Sequence, residues 1–281
     1  MRPVSSTSKS LPIAMFDSGV GGLTVLHECL VSLPHEDFVY LGDTARFPYG
    51  NREAAELREF ALELAELLLA DGAKLLVVAC NSATAAALPQ LREALRGRVG
   101  MVAVVEPESR LAARATSNGH VGLLATPATV ASGAYERALE QAAPDARLHA
   151  VACPELAPMI QEGSEVDQAL VDAVEAYCRP LRRAEVDTVI LGCTHYPLVR
   201  PILQRALGRR VTIVSSGVAI AEAVHAELAA RGIENDPDRR GHYSFLATGD
   251  PEAFRQVGTR FLQMPLGEVR QVAVKESRRA A

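Results

Sequence analysis

Two cysteines, Cys80 and Cys193, stand in segments that read as copies of one another, KLLVVACNSATAAALPQLREAL and DTVILGCTHYPLVRPILQRAL. Each segment is an apolar run, then a cysteine followed by small hydroxyl or amide residues, then an amphipathic stretch ending in Ala-Leu. In an α/β protein the run is a buried strand and the stretch a helix, so each thiol falls on the loop leaving a strand's carboxyl end. Open α/β sheets bind their ligands there. The partial positive charge of a helix N-terminus favours thiolate, and a thiolate is a usable base. Two thiols from facing frames could therefore pass protons across one small substrate. His195, two residues after Cys193, could tune that thiol's protonation, hand on a proton, or cap the helix. Cys29, Cys153 and Cys178 lack such surroundings and read as small buried hydrophobes.

Two further loops carry polar groups. The run Asp17-Ser18-Gly19-Val20-Gly21-Gly22 follows an apolar stretch. It could cradle a carboxylate or phosphate on backbone N–H groups at a helix N-terminus, or be a strand-to-helix turn with Asp17 as the cap. It is not a dinucleotide fingerprint, because the sixth position counted from Gly19 is Thr24. The run from Gly42 to Gly50, GDTARFPYG, packs an acid, a guanidinium and a phenol into nine residues. Substrate contact fits that variety, and a structural ion pair of Arg46 with an acid fits it equally.

These loops need elements to hold them. Short β-branched runs alternate with longer Ala/Leu/Glu/Arg segments, the pattern of strands separated by crossover helices in mostly parallel sheets. Strands are expected at Ile13 to Phe16, Phe38 to Leu41, Leu75 to Ala79, Met101 to Val105, Val121 to Leu124, Leu148 to Ala152, Thr188 to Leu191, Val211 to Val214 and Tyr243 to Ala247. The expected architecture is α/β, with two pseudo-symmetric lobes, each a mostly parallel sheet flanked by helices, and an active site at their interface. Residues 12–98 plus 213–275 would form the lobe carrying Cys80, and 99–212 the lobe carrying Cys193. Residues 1–11 and those from 276 onward read as solvated tails.

The chain has 281 residues, 48% hydrophobic and 22% charged, which suits one large or two modest domains with a sizeable core. Its net charge of -5 gives no electrostatic footprint for nucleic acid. No apolar run approaches the roughly 18 residues that would span a bilayer, and the opening residues lack the apolar core of a signal peptide. A cytoplasmic protein is expected, with its five cysteines free. Nothing here sets the oligomeric state, and a homodimer stays open.

Five ordered motifs, FDSGVGGLTVL, YLGDTARFPYG, VVACNSATAAAL, GLLATPATVASGAY and LGCTHYPLV, closely resemble the cofactor-independent glutamate racemases of the aspartate/glutamate racemase superfamily. The resemblance runs from about Ile13 to Phe261. It implies interconversion of L- and D-glutamate by two cysteines, supplying D-glutamate for peptidoglycan. By that resemblance Cys80 removes the α-proton of D-glutamate and Cys193 that of L-glutamate, with Asp17 assisting Cys80 and His195 assisting Cys193. It also implies substrate contact at Asp17, Ser18, Pro48, Tyr49, Gly50, Asn81, Ser82, Thr126, Thr129, Thr194 and His195.

Three positions depart from the family's pattern. A glutamate that supports the histidine is common after a Pro-Leu-Val type triplet, whereas Pro158-Met159-Ile160 is followed by Gln161 and only then by Glu162. Ser82 replaces a common threonine and keeps the hydroxyl. Ser215 stands where aspartate is common.

The residues speak to cofactors separately. Racemisation through pyridoxal phosphate needs a Schiff-base lysine, and the only lysines are Lys9, Lys74 and Lys275. Lys74 enters the strand whose exit carries Cys80, so it belongs to the wrong side of the sheet. No H-x-x-x-H or C-x-x-C metal spacing occurs, and no cofactor is expected. Two rival readings stand beside glutamate racemisation: a racemase of aspartate or a related diacid, and a carboxylate-binding protein without turnover.

Overall fold

The computed structural model describes residues 9–163 and 166–275. The apolar runs form two sheets in which every strand pairing is parallel. The first contains β1 (Ile13–Asp17), β2 (Phe38–Gly42), β3 (Leu75–Val78), β4 (Gly100–Ala103), β9 (Tyr243–Ala247) and β10 (Val269–Gln271). Their order is β10-β9-β2-β1-β3-β4. The second sheet, β6-β5-β7-β8, is built from β5 (His120–Ala125), β6 (Arg147–Ala152), β7 (Thr188–Gly192) and β8 (Thr212–Ser215). The central strands β1, β3 and β7 are buried along their whole length. Their unbroken apolar runs follow from helices covering both faces of the sheet.

The strand order explains where the thiols lie. From β1 the chain steps to β2 on one side and later to β3 on the other; from β5 it steps to β6 and then β7 in the same way. Each sheet therefore has a topological switch point where adjacent crossovers diverge and leave a crevice at the strands' carboxyl ends. Cys80 follows β3 at the first crevice and Cys193 follows β7 at the second. Register keeps neighbouring loops level, with Phe16 opposite Val78 and Ala125 opposite Gly192.

All nine expected strands form, shifted by a residue or two at their ends. The edge strand β10 was not foreseen, since its three residues are largely exposed and carry no apolar run. Sheet membership also differs from the division at 98 and 212. Gly100–Ala103 pairs with β3 in the six-stranded sheet, and Thr212–Ser215 closes the four-stranded one. The crossings between sheets thus run through the helices Val105–Ala115 and Ser216–Arg231, which pack on each other. Of the expected tails, residues 1–8 and 276–281 lie outside the described residues. Lys9 is held, its carbonyl accepting from Lys74 Nζ at 2.8 Å.

Candidate active site

One small cleft joins the two crevices. Ser18, Pro48, Tyr49, Gly50, Cys80, Asn81 and Ser82 come to it from loops of the first sheet, and Thr126, Cys193, Thr194 and His195 from the second. Both thiols thus reach one small space from different sheets, 3% and 7% exposed.

Cys80 caps the helix Asn81–Ala94, its sulfur accepting from Ala83 N at 3.4 Å. Backbone and hydroxyl of Ser18 also favour its thiolate. These donors do not win. Burial pushes the Cys80 thiol up to about 12, and the nearby Asp17 charge adds to the rise. Cys193 is held well above its ordinary range, again by burial first, against a backbone N–H of His195 that favours its thiolate. The sequence argument from helix termini pointed the other way. A terminus supplies only a fraction of a charge, whereas full desolvation of an anion shifts a pKa by several units. Burial thus holds both groups as thiols.

Asp17 is fully buried, with its Oδ2 accepting from Gly19 N at 3.2 Å and Gly22 N at 3.0 Å. The anion held by the glycine-rich turn is therefore the chain's own carboxylate rather than a ligand's. Thr194 Oγ1 donates to Asp17 Oδ1 at 3.3 Å, and Thr24 Oγ1 donates to Thr194 O at 2.9 Å, tying the Cys193 loop to the first sheet. Gly21 makes that approach feasible: a Cβ there would lie 2.4 Å from both His195 Nδ1 and Thr194 Oγ1. Burial raises the Asp17 pKa, opposed by its hydrogen-bond donors.

His195 Nδ1 lies 3.9 Å from Cys193 Sγ. Its Nε2 lies 3.0 Å from Gln161 Oε1. An amide oxygen only accepts, so Nε2 carries the proton and Nδ1 faces the thiol as an acceptor. Burial, with Arg260 adding to it, pushes the imidazole down to about 3. His195 is therefore a neutral base. Phe47 stacks on its ring and Phe261 meets the ring edge-on. Arg260 donates to the carbonyls of Ile160, Gln161 and Gly163, which fixes the segment bearing Gln161.

The hydroxyls of Ser82, Thr126 and Thr129 form a mutually bonded trio, Ser82 to Thr126 at 2.9 Å and Thr126 to Thr129 at 3.0 Å. Thr126 caps the short helix Pro127–Ala131, so two helix N-termini converge where the trio sits. Backbone N–H groups and hydroxyls so arranged can hold an anion. Thr129 stands behind the other two and does not line the cleft. Gly50 O accepts from Ala128 N at 2.9 Å, and a Cβ on Gly50 would collide with Thr126.

Two expected contributors are used differently. Tyr49 lines the cleft but donates its hydroxyl to Asp43 Oδ2. Arg46 is structural: it binds Asp43 at 2.6 Å and Glu63 at 2.7 Å and lies over the Phe60 ring. Lys74 is paired with Glu36 and bonded to Ile233 O at the amino end of β3, away from the cleft. The five cysteines are all free and buried. The resemblance puts Gln161 where a histidine-supporting glutamate is common, and its amide oxygen does meet His195; sequence reasoning missed the aromatic walls Phe47 and Phe261, because they come from elements distant in the chain. Ser215 ends β8 at the edge of the second sheet, and nothing in the structure explains the exchange from aspartate.

A family model for Asp/Glu/hydantoin racemases matches residues 25–224. The glutamate racemase of Beutenbergia cavernae is 46% identical over 268 residues, covering 92% of this chain and 91% of the relative. A glutamate racemase isoform of Bacillus anthracis superposes with a TM-score of 0.89 at 36% identity, over 95% of this chain and 98% of that one. The Francisella tularensis glutamate racemase solved with D-glutamate superposes at 0.87 with 28% identity, over 95% and 98% of the two chains.

Proposed function

The chain belongs to the Asp/Glu/hydantoin racemase family, and from that membership we infer that it interconverts L- and D-glutamate by moving protons between Cα and the thiols of Cys80 and Cys193. It is a cofactor-independent amino-acid racemase, an isomerase whose product D-glutamate serves peptidoglycan synthesis. The arrival of two thiols in one cleft from two switch points carries this reading.

The substrate's α-carboxylate sits against Ser82 and Thr126 at the paired helix N-termini. Its ammonium lies by Asp17, Ser18 and Asn81, and its side-chain carboxylate toward the Pro48–Gly50 turn and Thr194. In the D-to-L direction the Cys80 thiolate takes the α-proton, forming S–H and leaving the C–H electron pair on Cα. The Cys193 thiol then gives its proton to the opposite face and becomes thiolate. The reverse direction starts from Cys193. Hydroxyl and backbone donors around the α-carboxylate carry the charge that develops as the proton leaves. Because burial keeps both sulfurs protonated, one thiol must give up its proton before each turnover: Asp17 takes it from Cys80, or His195 Nδ1 takes it from Cys193, and the substrate's ammonium favours the ionised sulfur that results.

Among the described residues no helix is long and apolar enough to cross a membrane. The protein acts in the cytoplasm on a small-molecule substrate, without nucleic acid or membrane. The homodimer raised by the sequence belongs to this proposal and is checked by light scattering. The test of function follows optical rotation of D-glutamate, L-glutamate and both aspartates, with protein treated with a chelator and a carbonyl trap. Rapid racemisation of glutamate alone, untouched by either treatment, is expected. Preference for aspartate, or loss of activity under either treatment, would overturn the reading.

A further inference from the structure

Glu108 is an acid that the mechanism above does not use, fully inaccessible one turn into the helix Val105–Ala115. Its bonded partners are all neutral. Ser216 Oγ donates to Oε1 at 2.5 Å; Tyr135 OH and, at 3.2 Å, Asn81 Nδ2 donate to Oε2. Asn81 Nδ2 also donates to Tyr135 OH at 2.7 Å. The group thus joins the helix that follows Cys80 to the two crossings between the sheets.

A buried carboxyl without a cation is costly, and burial pushes Glu108 up to about 8. The benefit shows at Asn81, which is 2% exposed and lines the cleft. Its amide nitrogen donates to Glu108 and Tyr135, which leaves Oδ1, at the other end of the amide, buried and without a partner. Oε2 accepts in either state of Glu108, since a proton on Oε1 sits toward Ser216. A buried acceptor left empty costs free energy unless a ligand fills it. Carboxylates only accept, so in an amino dicarboxylate the ammonium is the group that can donate to Oδ1.

We propose that Glu108 is a positioning residue that locks the Asn81 amide with its oxygen toward the cleft, where it receives the substrate's α-ammonium. This deepens the glutamate racemase reading and rests on it. Replacing the acceptor with an apolar side chain frees the amide to rotate, and the ammonium loses its partner while both carboxylate subsites stay intact.

The test compares D-glutamate with glutarate, which has both carboxylates and no ammonium. The KM for D-glutamate and the inhibition constant of glutarate are measured for wild type, Glu108→Met and Glu108→Gln. Methionine fills similar space with no oxygen; glutamine can turn its own amide oxygen to Asn81 and its nitrogen to Ser216. Glu108→Met should raise KM about tenfold and change glutarate inhibition less than twofold, as expected for one hydrogen bond to a charged group. Glu108→Gln should restore KM to within about twofold. If Glu108→Met does not fold, Glu108→Ala is measured in the same way. Parallel weakening of both ligands, or no change in either, overturns the positioning role. A wild-type protein that binds glutarate by titration calorimetry yet does not racemise glutamate overturns the reading beneath it, and this inference with it.

Discussion

Glutamate in place of Gln161 would put a carboxylate where His195 Nε2 now meets a neutral oxygen at 3.0 Å. The imidazole, held down to about 3, is at present uncharged at any working pH. A unit charge at this range contributes about 4 kcal/mol at an effective dielectric of about 20. At about 1.4 kcal/mol per pH unit, that raises His195 by about three units, to about 6. Protonated His195 cannot accept from Cys193, so the acid limb of kcat/KM should move up with it. The equilibrium constant of a racemisation is one, which makes kcat/KM equal in both directions; the position of the limb is therefore the readout. Proton-nitrogen correlation spectra of the imidazole give the titration directly, and racemisation rates from pH 4 to 9 give the limb. If Gln161→Glu titrates His195 at the wild-type pH, or leaves the acid limb in place, the argument that this neutral contact sets the histidine's state is refuted.

Three other outcomes follow from the same geometry. With Cys80 at about 12, roughly one thiol in ten thousand is ionised at pH 8, so iodoacetamide should label Cys80 of the empty protein at least a hundredfold slower than free cysteine; mass spectrometry showing equal rates would contradict this. Gly21→Ala places a methyl against His195 and Thr194 and should cost about 1–3 kcal/mol of stability with a hundredfold loss of kcat/KM, whereas activity within threefold of wild type would show the loops are not held this closely. Folded Glu108 keeps its proton up to about 8 while the unfolded chain releases it near pH 4.3, so its contribution favours the fold at low pH and is lost as pH rises across that window, by up to about 5 kcal/mol. His195 acts oppositely below about pH 6.5. Thermal melts at pH 5.5 and 8.5 should therefore show a smaller pH dependence in Glu108→Gln than in wild type, and equal dependence would contradict the assigned state of the acid.

Much of this molecule was legible in its residues. Strands such as β3 and β7 announce themselves because parallel strands buried on both faces must be continuously apolar. The matched frames around Cys80 and Cys193 carried the site because a strand's carboxyl end at a switch point is determined by chain order alone. What chain order could not give were contacts set by tertiary packing. The glycine-rich turn read equally as a ligand cradle or as a turn built around Asp17, and only the folded positions of its N–H groups, which hold Asp17, decide between them. The thiols looked acidic until full burial outweighed their helix termini. Glu108 lies in an ordinary amphipathic helix, and only the fold brings Asn81, Tyr135 and Ser216 around it.

The central claim is that each thiol serves one face of Cα. An analogue of glutamate with a leaving group on Cβ tests it most directly, since a single deprotonation expels that group irreversibly and needs no acid on the opposite face. Cys80→Ser and Cys193→Ser should both fail to racemise glutamate. With the analogue, Cys80→Ser, which keeps Cys193, should eliminate from the L enantiomer only, and Cys193→Ser, which keeps Cys80, from the D enantiomer only. Elimination of the same enantiomer by both variants, or undiminished racemisation by either, would contradict two-thiol catalysis.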